Sequence, residues 1–390
     1  MTSARAEFAL VAECCRWPVP ASDPLRARST GKALDWPRVA RIARRHRVEA
    51  LVWNRLRAAG MDVPEQAAGA LRSAAERTAR DNLRAARECA RLQRAFHAAG
   101  IPILFIKGVT LAMLAYGTLS LKAGWDIDLL VDPDRIDDAA RVLSAAGYRC
   151  VQPGGGPEQL RRWHLLSKES LWRNEASETA VELHTSLVDN KMLLPGIGLE
   201  QSRTVALPGG FRLATLAPDE LFAYLCVHGA SSAWFRLKWL ADLAALVAPL
   251  GPGELDRIYA RALELGAGRA PSVALLLSAR ILGLRLPDAL RAVLERDVVA
   301  RAIAWAALRK MTGRYVESDI QSFALGTLSV QLIQPFLLPG WRYAWAEARR
   351  QMATPEDRLA LEEGGPGSSL RPLRLLVRKL ARPLRRRFGG

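Results

Sequence analysis

The chain has 390 residues, half of them apolar, so two or three folding units with a sizeable core are expected. Its formal net charge is +17, and the tail from Arg371 to Arg387 holds eight basic residues and no acid, nearly half of that excess; the remainder suits a polyanionic partner, nucleotide phosphates or the ordinary bias of an Ala- and Arg-rich protein. The composition excludes a disulfide framework and a zinc site, because Cys14, Cys15, Cys89, Cys150 and Cys226 are odd in number and show no C-x-x-C spacing.

From Phe8 to Gly100 the pattern is helical. Trp36, Val39, Ile42 and Ala43 repeat at helix spacing, as do Leu51, Val52, Arg55 and Leu56, and Gly60 and Pro64 punctuate the end. A long helix is predicted over Gln66 to Ala99, with Leu71, Ala75, Leu83, Ala86, Ala90 and Phe96 inward and its arginines on a solvated outer face. Arg5 and Glu7 interrupt any signal peptide at the start.

Ile101 to Val131 organises the rest. Ile103 to Ile106 reads as a buried strand, Lys107-Gly108 follows it, and Leu111, Leu114 and Ala115 give helical spacing up to the Gly117 stop. Asp126 to Val131 is a second strand. Side chains alternate along it, so Asp126 and Asp128 share one face and Ile127, Leu129 and Val131 the other. Two carboxylates that close repel, and a cation or polycationic partner is the simplest reason to hold them together.

Asp132-Pro133-Asp134 then starts a helix with Ile136, Ala139, Ala140, Val142 and Leu143 on its apolar face. Tyr148 to Val151 is a short strand, and Pro153 to Pro157 is a Gly-rich loop without the Gly-Lys-Ser/Thr of a P-loop. A hairpin is predicted from Trp163 to Trp172 and Thr179 to His184, with Asn174 to Ser177 as its turn. Glu182 and His184 share a face of the second strand.

From Thr215 onward the chain is helical again. Helices are predicted from Pro218 through Leu221, Tyr224 and His228, then over Trp234 to Leu246, Gly253 to Leu263, Pro271 to Leu284 and Pro287 to Met311. No apolar run reaches the ~18–20 residues of a membrane span, since the best, Gln321 to Leu338, carries Ser, Gln, Gly and Pro. A cytoplasmic protein is expected. Gly364 to Ser369 reads as a flexible linker, and Leu373, Leu376, Val377 and Leu380 put an apolar face among the arginines beyond it, a segment suited to peripheral contact with an anionic membrane or to RNA.

The strand ending in Lys107-Gly108, with Tyr116, Lys122, the run from Asp126 to Val131 and the helix that stops at Gly147-Tyr148, resembles the nucleotidyltransferase superfamily related to DNA polymerase beta. It is most similar to a bacterial branch described as uncharacterised nucleotidyltransferases, over about Pro102 to Ser186 and more weakly over Leu221 to Leu246. The resemblance implies an α+β fold, with a small mixed-sheet core at residues 101–215 between helical regions at 1–100 and 216–363 and a basic tail at 364–390. It also implies that Asp126, Asp128 and Glu182 are catalytic and bind Mg²⁺ or Mn²⁺. Lys107, Gly108, Thr110 and Lys122 would bind the triphosphate of an NTP, with His184, His228, Lys238 and Asp242 lining the cleft. Val109 stands where the superfamily commonly has serine, and Thr110 is the candidate substitute.

The reaction so implied is transfer of a nucleoside monophosphate from an NTP to a small-molecule, peptide or protein acceptor. A non-catalytic scaffold that binds a nucleotide or partner protein is the alternative. A polymerase-like or tRNA-modifying enzyme is a third reading, disfavoured because no aromatic-plus-basic RNA motif is present.

Overall fold

The computed structural model describes residues 3–19, 25, 34–124, 126–313 and 331–362. The linker and basic tail beyond residue 363, and most of the apolar run that begins at Gln321, lie outside the described residues. Among those described, no helix is long and apolar enough to cross a membrane.

Among the described residues, the lead-in includes α1 (Ser3–Cys14), α2 (Trp36–His46), α3 (Glu49–Ala58) and the 34-residue α4 (Glu65–Ala98). Asp35 caps α2 by accepting the Arg38 N–H at 2.9 Å, and Arg47 ends it in a left-handed conformation. The inner stripe of α4 is largely small residues, with Leu71, Leu92 and Phe96 as its large members. Leu83, expected inward, is 49% exposed and stands among Arg80, Arg84 and Arg87. Here Asn82 takes the inward position that a purely apolar count gives to its neighbour.

The core is a five-stranded mixed sheet, as the α+β expectation required. It comprises β1 (Ile103–Phe105), β2 (Asp126–Val131), β3 (Arg149–Gln152), β4 (Glu169–Asn174) and β5 (Thr179–His184) in the order β1-β2-β5-β4-β3. β2 runs parallel to β5, and every other neighbouring pair is antiparallel. Between them lie α5 (Val109–Tyr116), α6 (Ile136–Ala145) and α7 (Pro157–Leu166).

One sheet face, with Ile127, Leu129, Trp172, Val181 and Leu183, packs on α4 and α6. The opposite face contributes Leu104, Ile106 and Leu130 to a larger core. That core also joins α1–α3 to the later helices α8 (Pro218–Ser231), α9 (Leu237–Val247), α10 (Pro252–Glu264) and α11 (Ala270–Leu282). Strand alternation therefore delivers the polar side chains of β2, β4 and β5 toward α8 and α9.

Three expectations change. The strand predicted over Trp163 to Trp172 is half helix: Pro157 occupies the first turn of α7, Leu160, Trp163 and His164 form its buried side, and β4 begins only at Glu169. A short apolar run fits either period, and the proline start decides for the helix. A two-stranded hairpin, β6 (Ser202–Ala206) with β7 (Arg212–Leu216), was not anticipated, and Thr215 belongs to it. Its turn carries Gly209 and Gly210 at φ +87° and +80°, which is the local signal that could have found it. The helix predicted over Pro287 to Met311 is two, α12 (Asp288–Arg296) and α13 (Val298–Thr312), because Asp297 turns its carboxylate back to cap Val299 and Ala300. Later in the described residues come α14 (Trp341–Met352) and α15 (Pro355–Glu362).

Candidate metal and nucleotide site

The site begins with sheet register. Parallel pairing sets Asp128 opposite Glu182, and antiparallel pairing sets Glu169 opposite His184, so all four side chains leave on one face. Ligand atoms of Asp128, Glu182 and His184 lie within 4.8 Å of one another. His184 Nε2 is 3.3 Å from Asp128 Oδ1, 3.4 Å from Glu169 Oε2 and 3.7 Å from Glu182 Oε2.

Lys107 enters from the other side. The Ile106 N–H donates to the Asp128 carbonyl, extending β1 by one residue, and the Lys107 ammonium then reaches Asp128 Oδ1 at 2.8 Å and Glu182 Oε2 at 3.8 Å. Gly108 turns the chain at φ +72° into α5. A narrow crevice lined by Lys107, Gly108, Val109, Gly124, Asp126 and Asp128 opens at this helix start, where unbonded N–H groups favour an anion.

Asp128 is buried to 1% of its side chain, whereas Glu182 keeps 25% exposed. Burial by itself would raise the Asp128 carboxyl; Lys107 and then His184 overcome it and hold the group well below the usual carboxylate range. Glu182 moves the other way, raised by burial and by the Asp128 charge beside it. Burial lowers His184, and so does Lys168, but Asp128, Glu182 and Glu169 together raise it.

The donor set fits a divalent cation. Asp128 Oδ2 is buried with no hydrogen-bond donor among the described residues, and the Asp128 carboxylate stands beside a second carboxylate and an imidazole. A carboxylate oxygen so placed needs a proton or a cation. Two carboxylates and one imidazole suit Mn²⁺ at least as well as Mg²⁺, which prefers oxygen throughout.

The sequence-predicted residues divide by place. Lys107, Asp128, Glu182 and His184 meet in one cluster, while Asp126 stays outside it at the crevice, opposite Ala180 and one pleat period, ~7 Å, back along β2. The Thr110 hydroxyl is fully buried and donates to the Phe105 and Lys107 carbonyls at 3.1 Å each, so it fastens the Lys107 loop.

Lys122, Asp242 and Tyr116 form a second buried group: Tyr116 donates to Asp242 Oδ1 at 2.9 Å, and Lys122 Nζ lies 3.8 Å from Oδ2. Lys238 borders that group, its pKa lowered to about 8 by burial first and by Lys122 next. His228 sits on α8 between the rings of Tyr224 at 5.6 Å and Trp239 at 5.9 Å, held well below its ordinary pKa by burial and by the Lys107 and Lys168 charges.

Two participants escaped the sequence reading. Glu169, paired with Lys168, lay inside the strand drawn too early; ending the helix at Ser167 restores an alternation that puts Glu169 on the face of His184. Tyr224 keeps a buried hydroxyl without a hydrogen-bond partner among the described residues, close enough to Lys107 to feel its charge. Nothing local marks a tyrosine on an apolar helix for this place.

A family model described as an uncharacterised nucleotidyltransferase matches residues 32–283, well over half of the chain. No curated protein matches it.

Proposed function

We propose, for a chain that belongs to the uncharacterised nucleotidyltransferase family, a metal-dependent transfer of a nucleoside monophosphate from an NTP to a small-molecule, peptide or protein acceptor. The observation that carries this reading is the convergence of Asp128, Glu182 and His184 within 4.8 Å beside a lysine and a helix start. Lys107 and the N–H groups at Val109 and Thr110 bind the triphosphate, while Asp128 and His184 fix the metal side. A bound divalent ion supplies charge neutralisation at the α-phosphate and lowers the pKa of the acceptor group. Glu182, the most open member of the three, takes the proton from the acceptor. Asp126 lies at the mouth of the crevice, where it meets incoming metal and nucleotide.

The test is transfer of label from each α-labelled NTP to cell lysate with Mn²⁺ or Mg²⁺. Label transfer by the wild type and its loss in Asp128→Asn support the reading; no transfer from any NTP, together with no Mn²⁺ binding by calorimetry, removes it. One observation favours the scaffold alternative. The Lys107 ammonium already pairs with Asp128 and reaches Glu182, so part of the acid charge is met by the chain itself. A scaffold binds the nucleotide through the crevice and yields no labelled product.

A further inference from the structure

A second concavity, of about 550 Å³, lies between α4 and the turn that joins β4 to β5. Arg80, Arg84, Arg87, Arg91 and Arg94 line it. Their spacing of four, three, four and three residues keeps them on one stripe of the helix. At ~1.5 Å per residue that stripe is about 21 Å long. Ser177 and Thr179 line the groove from the hairpin, and Leu83 is its only apolar side chain among the described residues. Thr179 shares its strand face with Val181 and Leu183, the face packed on α4, so the groove lies across the sheet from Asp128 and His184.

Charge decides what fits. Arg91 pairs with the buried Glu88 at 2.6 Å, and Glu88 also accepts the Tyr148 hydroxyl at 2.6 Å, so that pair belongs to the fold. Arg84 reaches Glu178 at 3.3 Å, but both side chains are more than half exposed and such a pair holds weakly in water. Arg80, Arg87 and Arg94 are exposed and make no ion pair among the described residues. Set against Glu88 and Glu178, the five arginines leave an excess of three positive charges.

Guanidinium groups take phosphate oxygens through paired hydrogen bonds, and a row of them calls for an anion that repeats. A nucleic-acid strand, with one phosphate per ~3.4 Å of rise, presents about six over the length of this stripe. A bilayer fits poorly, because a planar surface meets only the rim of a concavity and one leucine gives little to insert. No aromatic side chain lines the groove among the described residues, so nothing there stacks on a base.

We infer that this groove holds a single nucleic-acid strand by its phosphates, without reading its bases. The inference is independent of the chemistry of the carboxylate cluster, and its test is a binding measurement.

The experiment is fluorescence anisotropy on the full chain with a labelled single-stranded RNA of about 16 nucleotides. The triple variant Arg80→Gln, Arg87→Gln, Arg94→Gln should bind at least about tenfold more weakly at ~50 mM salt. Its salt slope should be shallower by about two, for three lost contacts at ~0.7 each. Arg385→Gln, Arg386→Gln, Arg387→Gln in the basic tail removes the same charge and is expected to cost less. An equal or larger loss in that tail variant, or unchanged binding in the groove variant, overturns the inference. Glutamine keeps helix propensity, and if the triple variant still melts lower, Arg87→Gln alone carries the test with a slope change of about 0.7. Poly(A) and poly(U) should bind within about threefold of each other, since phosphates position a strand without specifying it. A tenfold preference between them, tighter binding of a duplex of the same length, or equal binding of polyglutamate overturns the assignment. So do phosphatidylserine vesicles that bind the wild type but not the triple variant.

Discussion

Two buried charged groups differ in what they leave unsatisfied. In the Tyr116–Lys122–Asp242 group both carboxylate oxygens face a donor: the tyrosine hydroxyl at 2.9 Å and the ammonium at 3.8 Å. In the Lys107–Asp128–Glu182–His184 group three atoms have no partner among the described residues, namely Asp128 Oδ2, His184 Nδ1 and the neighbouring Tyr224 hydroxyl. The central carboxylates are both buried, Asp128 at 1% and Asp242 at 8% exposed, so desolvation does not separate them. A closed network stabilises the fold, whereas one that keeps buried polar atoms open has been left room for something the chain does not supply.

The sharpest way to break this comparison is Asp128→Asn. It removes the oxygen pair at the centre of the open group, and NTP-dependent labelling should fall at least ~10²-fold, as for loss of a positioned catalytic group. Mn²⁺ binding by calorimetry should disappear in the same variant. Retained labelling would move the open group into the structural class.

Asp242→Ala should show the reverse profile. It strands the Lys122 ammonium, 8% exposed, without its carboxylate, and denaturant unfolding should report a loss of about 3–5 kcal/mol. Turnover per folded molecule should stay within about twofold, well inside the ~tenfold change that 1.4 kcal/mol of lost transition-state contact represents. A large fall in turnover with an unchanged melt would instead place Asp242 among the substrate contacts.

Smaller effects sharpen the boundary. His46 accepts the Leu237 N–H at 3.0 Å and so anchors the start of α9, which carries Lys238 and Asp242. Burial first, and the Arg45 charge second, lower its pKa to about 3. Below its unfolded pKa of ~6.5 the unfolded chain binds a proton that the folded chain refuses, so stability falls with pH from there toward 3. The slope from this residue is at most about 1.4 kcal/mol per pH unit, and the difference between wild type and His46→Gln in unfolding at pH 7 and pH 5 isolates it. Thr110→Val should be the mildest of the set. Two hydrogen bonds to the Lys107 loop are lost for about 1–2 kcal/mol, with ATP-analogue affinity held within about twofold if the hydroxyl does not touch phosphate.

Local pattern was enough for much of this. The period of two along Asp126–Val131 and Thr179–His184 determined which side chains share a face, and the Lys107-Gly108 turn into a helix was legible from an apolar run followed by glycine. Helical periodicity also announced most of the flanking helices, failing where a capping residue such as Asp297 splits one apolar stripe into two. Only the tertiary structure decided which acids meet. Strand register is a property of pairing between distant segments, and pairing Asp128 with Glu182 leaves Asp126 opposite Ala180, at the crevice beside the three-residue cluster. The same holds for Glu169, delivered to His184 by an antiparallel neighbour, and for Asp189 and Arg350, which form an ion pair across 161 positions of sequence. A side chain's face is fixed by its own backbone, but its neighbours are fixed by how the whole chain buries its apolar surface, and a charge's meaning depends on those neighbours.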